Sequence, residues 1–189
     1  MAEHPPDHDP TIPTPLPLSG RCAEATEHLW KTLQGINEWI RFADAKAGAV
    51  LTANGVLATL AAGVIEKQSD LLSKYQSLKI VTLICGLALL LSSIACVKCL
   101  YPRVRVKGEI RSLLFFHHIA TVYADPPRYL DKARELSEPD MAFREVGTQV
   151  WANSRVAREK HREVAFAIGA TGASLFVSLS VWIIAILVR

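Results

Sequence analysis

The chain of 189 residues has few aromatic side chains, 7% of the total, and little excess charge of either sign. Its 21 basic and 18 acidic residues give a net charge of only +3, which provides no general argument for nucleic-acid binding. The four cysteines show no pairing pattern, which argues against a secreted disulfide scaffold. Half of the residues are hydrophobic, so the apolar side chains must be concentrated in particular segments.

Motifs of catalysis are missing as well. The chain has no P-loop, no G-x-G-x-x-G and no G-x-S-x-G. Cys96 and Cys99 have the spacing of a metal or redox pair, but no second pair accompanies them. The adjacent His117 and His118 would point about 100° apart on a helix, which disfavours a shared metal site. We therefore predict no enzyme activity, no catalytic residue, no cofactor and no metal site.

Three stretches without charged side chains are long enough to cross a membrane: 47–65, 80–97 and 164–188. A hydrocarbon core of about 30 Å needs about 20 helical residues, and soluble core helices rarely run that far uncharged. The sequence therefore predicts an integral membrane protein with three transmembrane helices.

Basic residues outside these spans are unevenly distributed. Four precede the first span and thirteen lie in the long connection before the third, against three in the short loop and one at the C-terminus. Because cytoplasmic segments carry the excess of Lys and Arg, we predict a cytoplasmic N-terminus and a C-terminus on the opposite side, which for a bacterial inner membrane is the periplasm.

These arguments divide the chain into segments that alternate between water and lipid. The predicted segments are a disordered proline-rich tail (1–20), a cytoplasmic amphipathic helix (21–46), the first span (47–65), a periplasmic loop (66–79), the second span (80–97), a cytoplasmic helical region (98–163) and the third span (164–188). The tail contains six prolines and has neither the basic start nor the apolar centre of a signal peptide.

The cytoplasmic segments show helical periodicity. Apolar residues recur at steps of three and four over 29–40, which predicts one helix from residue 22 into the first span. Further helices are predicted over 108–123 and 129–136, and another begins near Pro139. The predicted fold is all-α, with two membrane helices extended inward as a stalk and a short helical hairpin packed against it. The apolar stripes of the stalk need a partner, which favours a homo-oligomer.

Polar and small residues within the spans suggest helix contacts. Asn54 is the one strongly polar side chain near the middle of the first span, and it either bonds across helices or lines a pore. Rows of small residues at four-residue spacing predict close packing: Gly55, Thr59 and Gly63; Ala170, Ser174 and Ser178.

Three local patterns resemble a known family. They are 39–48 (WIRFADAKAG) before the first span, 115–119 (FFHHI), and 149–157 (QVWANSRVA) followed by Lys160. In order and spacing, over about residues 36–175, they are similar to the transmembrane effector family of the bacterial Pycsar anti-phage system. That resemblance implies a membrane effector encoded beside a pyrimidine cyclase, activated by cyclic UMP or cyclic CMP (cUMP or cCMP), which impairs the inner membrane and aborts infection.

The resemblance also selects residues for sensing the nucleotide or holding the fold. These are Trp39, Asp44, Lys46, Asn153, Ser154, Arg155 and Lys160. Asp44, beside the membrane, is expected to pair with a basic residue of another segment, whereas Lys46 fits a contact with the lipid interface. Cations and aromatic rings suited to a phosphate and a base lie in the same cytoplasmic segments: Arg103, Arg105, Arg155, Lys160 and Arg162; Trp39, Phe116, His118 and Trp151.

A different class of function fits the same sequence. The stalk stripes and the proline-rich tail also suit a non-enzymatic membrane scaffold that docks a cytoplasmic partner protein. For most of the basic residues, a contact with lipid headgroups or solvent at the cytoplasmic surface is the favoured interpretation. A neighbouring cyclase gene would favour the effector over the scaffold.

Overall fold

The computed structural model describes residues 18–102, 112–123 and 125–187. Residues 1–17 of the predicted tail lie outside the described part, and disorder is wrong for residues 18–20, which form the first turn of a helix. The elements are α1 (Leu18–Lys67), α2 (Ser69–Lys74), α3 (Gln76–Leu100), α4 (Phe116–Val122), α5 (Pro126–Ala133), a short 3-10 helix (Arg134–Ser137) and α6 (Pro139–Leu187). The described residues contain no strand, and α1, α3 and α6 are each long and apolar enough to cross a membrane. The all-α fold with three transmembrane helices is confirmed.

Helices α1 and α6 extend far beyond the uncharged stretches. The predicted continuity from residue 22 into the first span is confirmed, because α1 has no break before Lys67. Helix α6 begins at Pro139, the start predicted from the sequence, where a proline has no N–H that the first turn would need. The span limits themselves stay predictions, since helical geometry does not mark where lipid begins.

The chain forms two compact units. The described residues of the first are 18–32, 112–123 and 125–149, and those of the second are 33–102 and 150–187. Helices α1 and α6 contribute to both units.

In the second unit, hydrogen bonds fix the relative direction of α1 and α6. Asp44 bonds to Lys160, and Asn54, ten residues later, bonds to Thr171. Contacts that advance in the same order along both helices mean that α1 and α6 run parallel.

Helix α3 runs in the opposite direction. Its carbonyl at Cys99 accepts from Lys160, whereas the carbonyl of Cys85, near the other end, accepts from the hydroxyl of Ser174 at 3.1 Å. The start of the apolar part of α1 and of α6 therefore meets the end of α3, as three alternating membrane crossings require.

Small side chains close the end of the bundle near Lys160. A cluster of buried residues joins α1, α3 and α6 there: Ala43, Ala47, Ala95, Cys96, Cys99, Val164 and Ala167. Small residues allow helix backbones to approach closely where lipid surrounds them. These seven residues form the alanine–cysteine seal.

The opposite end of the same bundle is loosely packed. A cavity of about 500 Å³ lies there, lined mainly by aliphatic side chains such as Leu57, Leu60, Leu89, Leu175 and Val181. The three helices therefore pack closely at one end, whereas at the other a cavity lies beside the contact between Ser174 of α6 and Cys85 of α3.

In the first unit, the prediction of a helix over 108–123 is wrong for the first described residues, 112–115. Ser112–Leu114 forms a turn, and α4 begins only at Phe116. The Leu113 N–H and the Ser112 hydroxyl both donate to the Glu145 carboxylate, at 3.1 and 2.9 Å, so side chains replace helical carbonyls as acceptors. Residues 108–111 lie outside the described part.

The helix predicted over 129–136 begins three residues earlier than expected. The prolines at 126 and 127 occupy the first turn of α5. Asp125 caps this helix, its Oδ1 accepting from the Arg128 N–H at 2.9 Å. The final turn, Arg134–Ser137, is a 3-10 helix.

Replacing Asp125 by alanine should loosen α5 without disturbing the rest of the chain. Loss of a side-chain N-cap costs about 1 kcal/mol, so the amides of α5 should exchange with solvent deuterium several-fold faster. Asp131→Ala is the matched control, because Asp131 is exposed, pairs with Arg134 at 3.1 Å and caps nothing. Equal exchange rates in the two variants would contradict the capping role.

Candidate functional site

The Lys160 ammonium is buried where the three long helices meet. The residue is 5% exposed, and its Nζ donates to Asp44 Oδ1 at 2.5 Å and to the Cys99 carbonyl at 2.6 Å. The Asp44 side chain is 36% exposed, so water reaches one side of the pair. The predicted ion pair of Asp44 with a basic residue from another segment is confirmed.

This pair differs physically from the surface pairs. Glu27 and Lys31 lie 2.7 Å apart on exposed side chains, and the hydrogen bond from Lys31 lowers the pKa of Glu27. Glu135 likewise raises the pKa of Lys132 through a hydrogen bond. Water and salt screen such pairs, which contribute little to stability. A buried ammonium, by contrast, depends on its anion, because it has lost most of its hydration.

Polar side chains bridge α1 and α6 at three levels. The bridging atoms are 2.9, 2.5 and 2.8 Å apart, and the residue numbers differ by 116, 116 and 117: Asn37–Asn153, Asp44–Lys160 and Asn54–Thr171. Because the offset is almost constant, one register satisfies all three bridges. Polar residues at a helix interface commonly fix register in this way, at some expense in stability.

Trp39 lies on the edge of this polar ladder. It is 62% exposed, and its ring packs edge-on against His161 with centroids 5.8 Å apart. His161 Nε2 is buried and has no hydrogen-bond partner within the described part of the chain. Trp39 therefore packs against α6 through His161 and leaves much of its ring in solvent.

The remaining predicted residues do not join the buried pair. Arg155 lies over the Trp151 ring, 5.1 Å from its centroid, on a face of α6 about 200° away from Asn153. Lys46 lies 4.2 Å from the centroid of the Phe42 ring, and the Ser154 hydroxyl donates to its own helix. The structure therefore brings Asp44, Lys160 and Asn153 to the α1–α6 interface and leaves Arg155, Lys46 and Ser154 outside it.

Inside the apolar part of the bundle, Asn54 joins all three helices. Its amide donates to Ser92 Oγ at 2.9 Å and Ser93 Oγ at 3.2 Å, and its Oδ1 accepts from Thr171 Oγ1 at 2.8 Å. Ser92 in turn donates to the Ala167 carbonyl at 2.9 Å. Asn54 is 2% exposed, so of the two sequence alternatives the interhelical contact is the one present.

The two rows of small residues behave differently. Ser174 of the α6 row is buried and bonds to α3, as predicted. The α1 row is exposed, and a Cβ added at Gly55 or Gly63 would meet no described atom within 4 Å. The prediction that the α1 row packs closely is therefore wrong within a single chain, because Asn54, rather than Gly55, faces the other helices.

Two aromatic candidates lie in the first unit. His118 Nδ1 accepts from the Ser112 N–H at 3.1 Å, which gives this ring a structural role, and Phe116 is 68% exposed. Arg103 and Arg105 lie outside the described residues.

Comparison with known proteins identifies the family. The profile described as "PycTM: Pycsar effector protein domain" matches residues 28–189. The chain belongs to the PycTM family of Pycsar effectors. It is 26% identical over 141 residues to "Pycsar effector protein PtPycTM" of Propioniciclava tarda, covering 72% of this chain and 68% of that protein. No solved structure matches the chain.

Sequence reasoning missed several partners in this PycTM chain. Neither Asn37 nor His161 was selected, and the Cys99 backbone carbonyl carries no side-chain signal. Spacing offered one clue, since Asn37 and Asp44 are seven residues apart, as are Asn153 and Lys160. Positions seven apart share a helix face, so two parallel helices can pair both sets at once.

Proposed function

We propose that this protein is a non-enzymatic membrane effector of a Pycsar antiviral system, activated by cUMP or cCMP to impair the inner membrane and abort phage infection. Membership of the PycTM family is the observation that carries the proposal. The three apolar helices support a site of action in the bilayer.

The bundle has the character of a resting state. Asn54, Ser92 and Thr171 bond to one another, and each is at most 8% exposed. The alanine–cysteine seal closes the adjacent end. Because the described residues of a single chain close this end with buried side chains, depolarisation requires the helices to rearrange or several chains to assemble.

Activation is then a population shift. The nucleotide must bind the rearranged state more tightly than the resting one, since equal affinity for both would change nothing. In our proposal a neighbouring pyrimidine cyclase supplies the nucleotide, and the effector works as a homo-oligomer. The exposed small-residue row of α1 supports self-association, because such rows favour helix contacts in lipid.

Orientation follows from the basic residues. The N-terminus and the connection between α3 and α6 are proposed to be cytoplasmic, which puts Lys160 and Trp39 on the side where the nucleotide is made. The lipid bilayer is the other partner, and Lys46 beside Phe42 and the exposed Arg162 suit contacts with headgroups.

The nucleotide needs a cation for its phosphate and a flat surface for its base. Arg155 and Trp151 offer both on the exposed face of α6. Trp151 precedes the predicted third span by thirteen residues, or about 20 Å of helix, so headgroup contact does not explain it. Lys160, in contrast, is enclosed and becomes available only after a rearrangement.

Purified protein in sealed liposomes with a potassium gradient tests the proposal. Micromolar cUMP or cCMP should collapse the membrane potential, read with a voltage-sensitive dye, whereas cAMP and linear UMP should not. Empty liposomes with the same nucleotides are the control. No depolarisation with either pyrimidine nucleotide would leave the membrane scaffold as the better account.

A further inference from the structure

We infer that Lys160, Asp44 and the Cys99 carbonyl form an ionic lock that holds the three long helices in the resting arrangement, and that opening begins when this lock breaks. The inference rests on the proposed function for what opening achieves. The lock itself follows from the geometry of one ammonium shared by α1, α3 and α6.

Its position fits this role. Lys160 precedes the predicted third span by four residues, Asp44 precedes the first by three, and Cys99 follows the second by two. At 1.5 Å per residue, all three lie within about one helical turn of the hydrocarbon edge. The lock therefore lies at the same end of the bundle as the alanine–cysteine seal, to which Cys99 itself belongs.

A buried ion pair is better suited to controlling a conformational change than to stabilising the bundle. Apolar residues of similar volume would hold three helices together at least as well as a buried ion pair, whose desolvation offsets its attraction. The ion pair makes the packed arrangement depend on both charges, because removal of either one leaves the other without its counter-charge. The 36% exposure of Asp44 gives water, ions or a ligand a path to the pair from the side.

Register makes the lock selective for one arrangement. If α6 slid by seven residues so that Asp44 faced Asn153, the same shift would bring Lys160 opposite Leu51, which has no charge. Such a slide therefore cannot keep the ammonium paired, and the resting register is favoured until the pair is broken.

The test uses nucleotide-free leakage from liposomes. Asp44→Asn keeps the shape and a hydrogen-bond acceptor but strands the ammonium, so basal leakage should rise on the order of a hundredfold. Adding Lys160→Met removes the stranded charge, and the double variant Asp44→Asn/Lys160→Met should leak as little as wild type. A charge exchange, Asp44→Lys/Lys160→Asp, should not restore the seal, because it would place a carboxylate against the Cys99 carbonyl.

Glu38→Gln is the matched control. Glu38 pairs with Arg41 at 3.1 Å on the same helix, but both side chains are at least 70% exposed, so leakage should not change. Should Asp44→Asn fail to accumulate in membranes, recovery of abundance in the double variant would equally support a stranded charge. The lock is refuted if Asp44→Asn accumulates normally and does not leak, or if the double variant shares its defect.

Nucleotide response separates this inference from the proposed function. If Asp44→Asn liposomes leak but the wild-type protein does not respond to cUMP or cCMP, the lock is supported and activation by these nucleotides is refuted. If the wild-type protein depolarises on addition of nucleotide but Asp44→Asn shows no basal leakage, activation by the nucleotide is supported and the lock is refuted.

Discussion

Substitution of Asn54 by leucine is expected to lower the free energy of unfolding of the three-helix bundle by about 2 kcal/mol, since interhelical hydrogen bonds in membranes average about 0.6 kcal/mol each. Three such bonds reach α3 and α6 from this one amide. Leucine keeps the branching of the asparagine side chain and removes its donors and its acceptor, so all three interhelical bonds are lost together. Titration of the detergent-solubilised protein with SDS, followed by helix content and cross-linking between α1 and α6, measures the change.

Two threonines provide the control for this experiment. Thr171→Val removes a buried hydroxyl that bonds to Asn54, whereas Thr59→Val removes an exposed hydroxyl that bonds only to the Gly55 carbonyl of its own helix. The first should destabilise the bundle and the second should not. Equal effects would mean that the hydroxyls act within their own helices and that Asn54 does not join the spans.

Asn54→Leu should also raise the basal leakage of ions. The Asn54 bonds and the Lys160 lock hold the same helices at two levels, ten residues apart on α1. Weakening the inner level alone leaves the lock intact, so the increase should be smaller than for Asp44→Asn. A leak equal to that of Asp44→Asn would place the main restraint within the membrane.

The long helices were predictable because lipid imposes a strong rule on sequence. A helix in hydrocarbon satisfies its own backbone, so about 20 uncharged residues suffice to predict one. The need of Asp44 for a cation was equally predictable, because a carboxylate beside lipid is rarely left alone. The identity of its partner was not, since thirteen basic residues lie in the connection that supplies it.

The short helices were harder for a physical reason. The pattern around Ser112 is compatible with helix, but Glu145, 33 residues away in sequence, accepts from its hydroxyl and His118 accepts from its N–H. Gly55, in the first predicted span, is a second case in which the local sequence does not determine the contact partner. Its row of small residues predicts a contact, but sequence cannot say whether the partner lies in the same chain or in another.

Enlarging Ala167 to leucine should give the largest loss of stability among the apolar substitutions. Ala167 is fully buried in the alanine–cysteine seal, and its carbonyl accepts from Ser92 of α3. Three extra carbons cannot fit between helices packed through alanine and cysteine, and overpacking costs about 1–3 kcal/mol. Separation of α3 from α6 would also lengthen the Ser92 hydrogen bond, so the loss should lie at the upper end.

Ala165→Leu is the control, because the same three carbons are added two residues away on an exposed face of α6. That variant should unfold at the same SDS concentration as wild type, whereas Ala167→Leu should unfold earlier and leak without nucleotide. The contrast depends on helix face alone, since residue type, helix and depth are shared. If the two variants behaved alike, the close approach of α3 and α6 at this level, and with it the sealed end of the bundle, would be wrong.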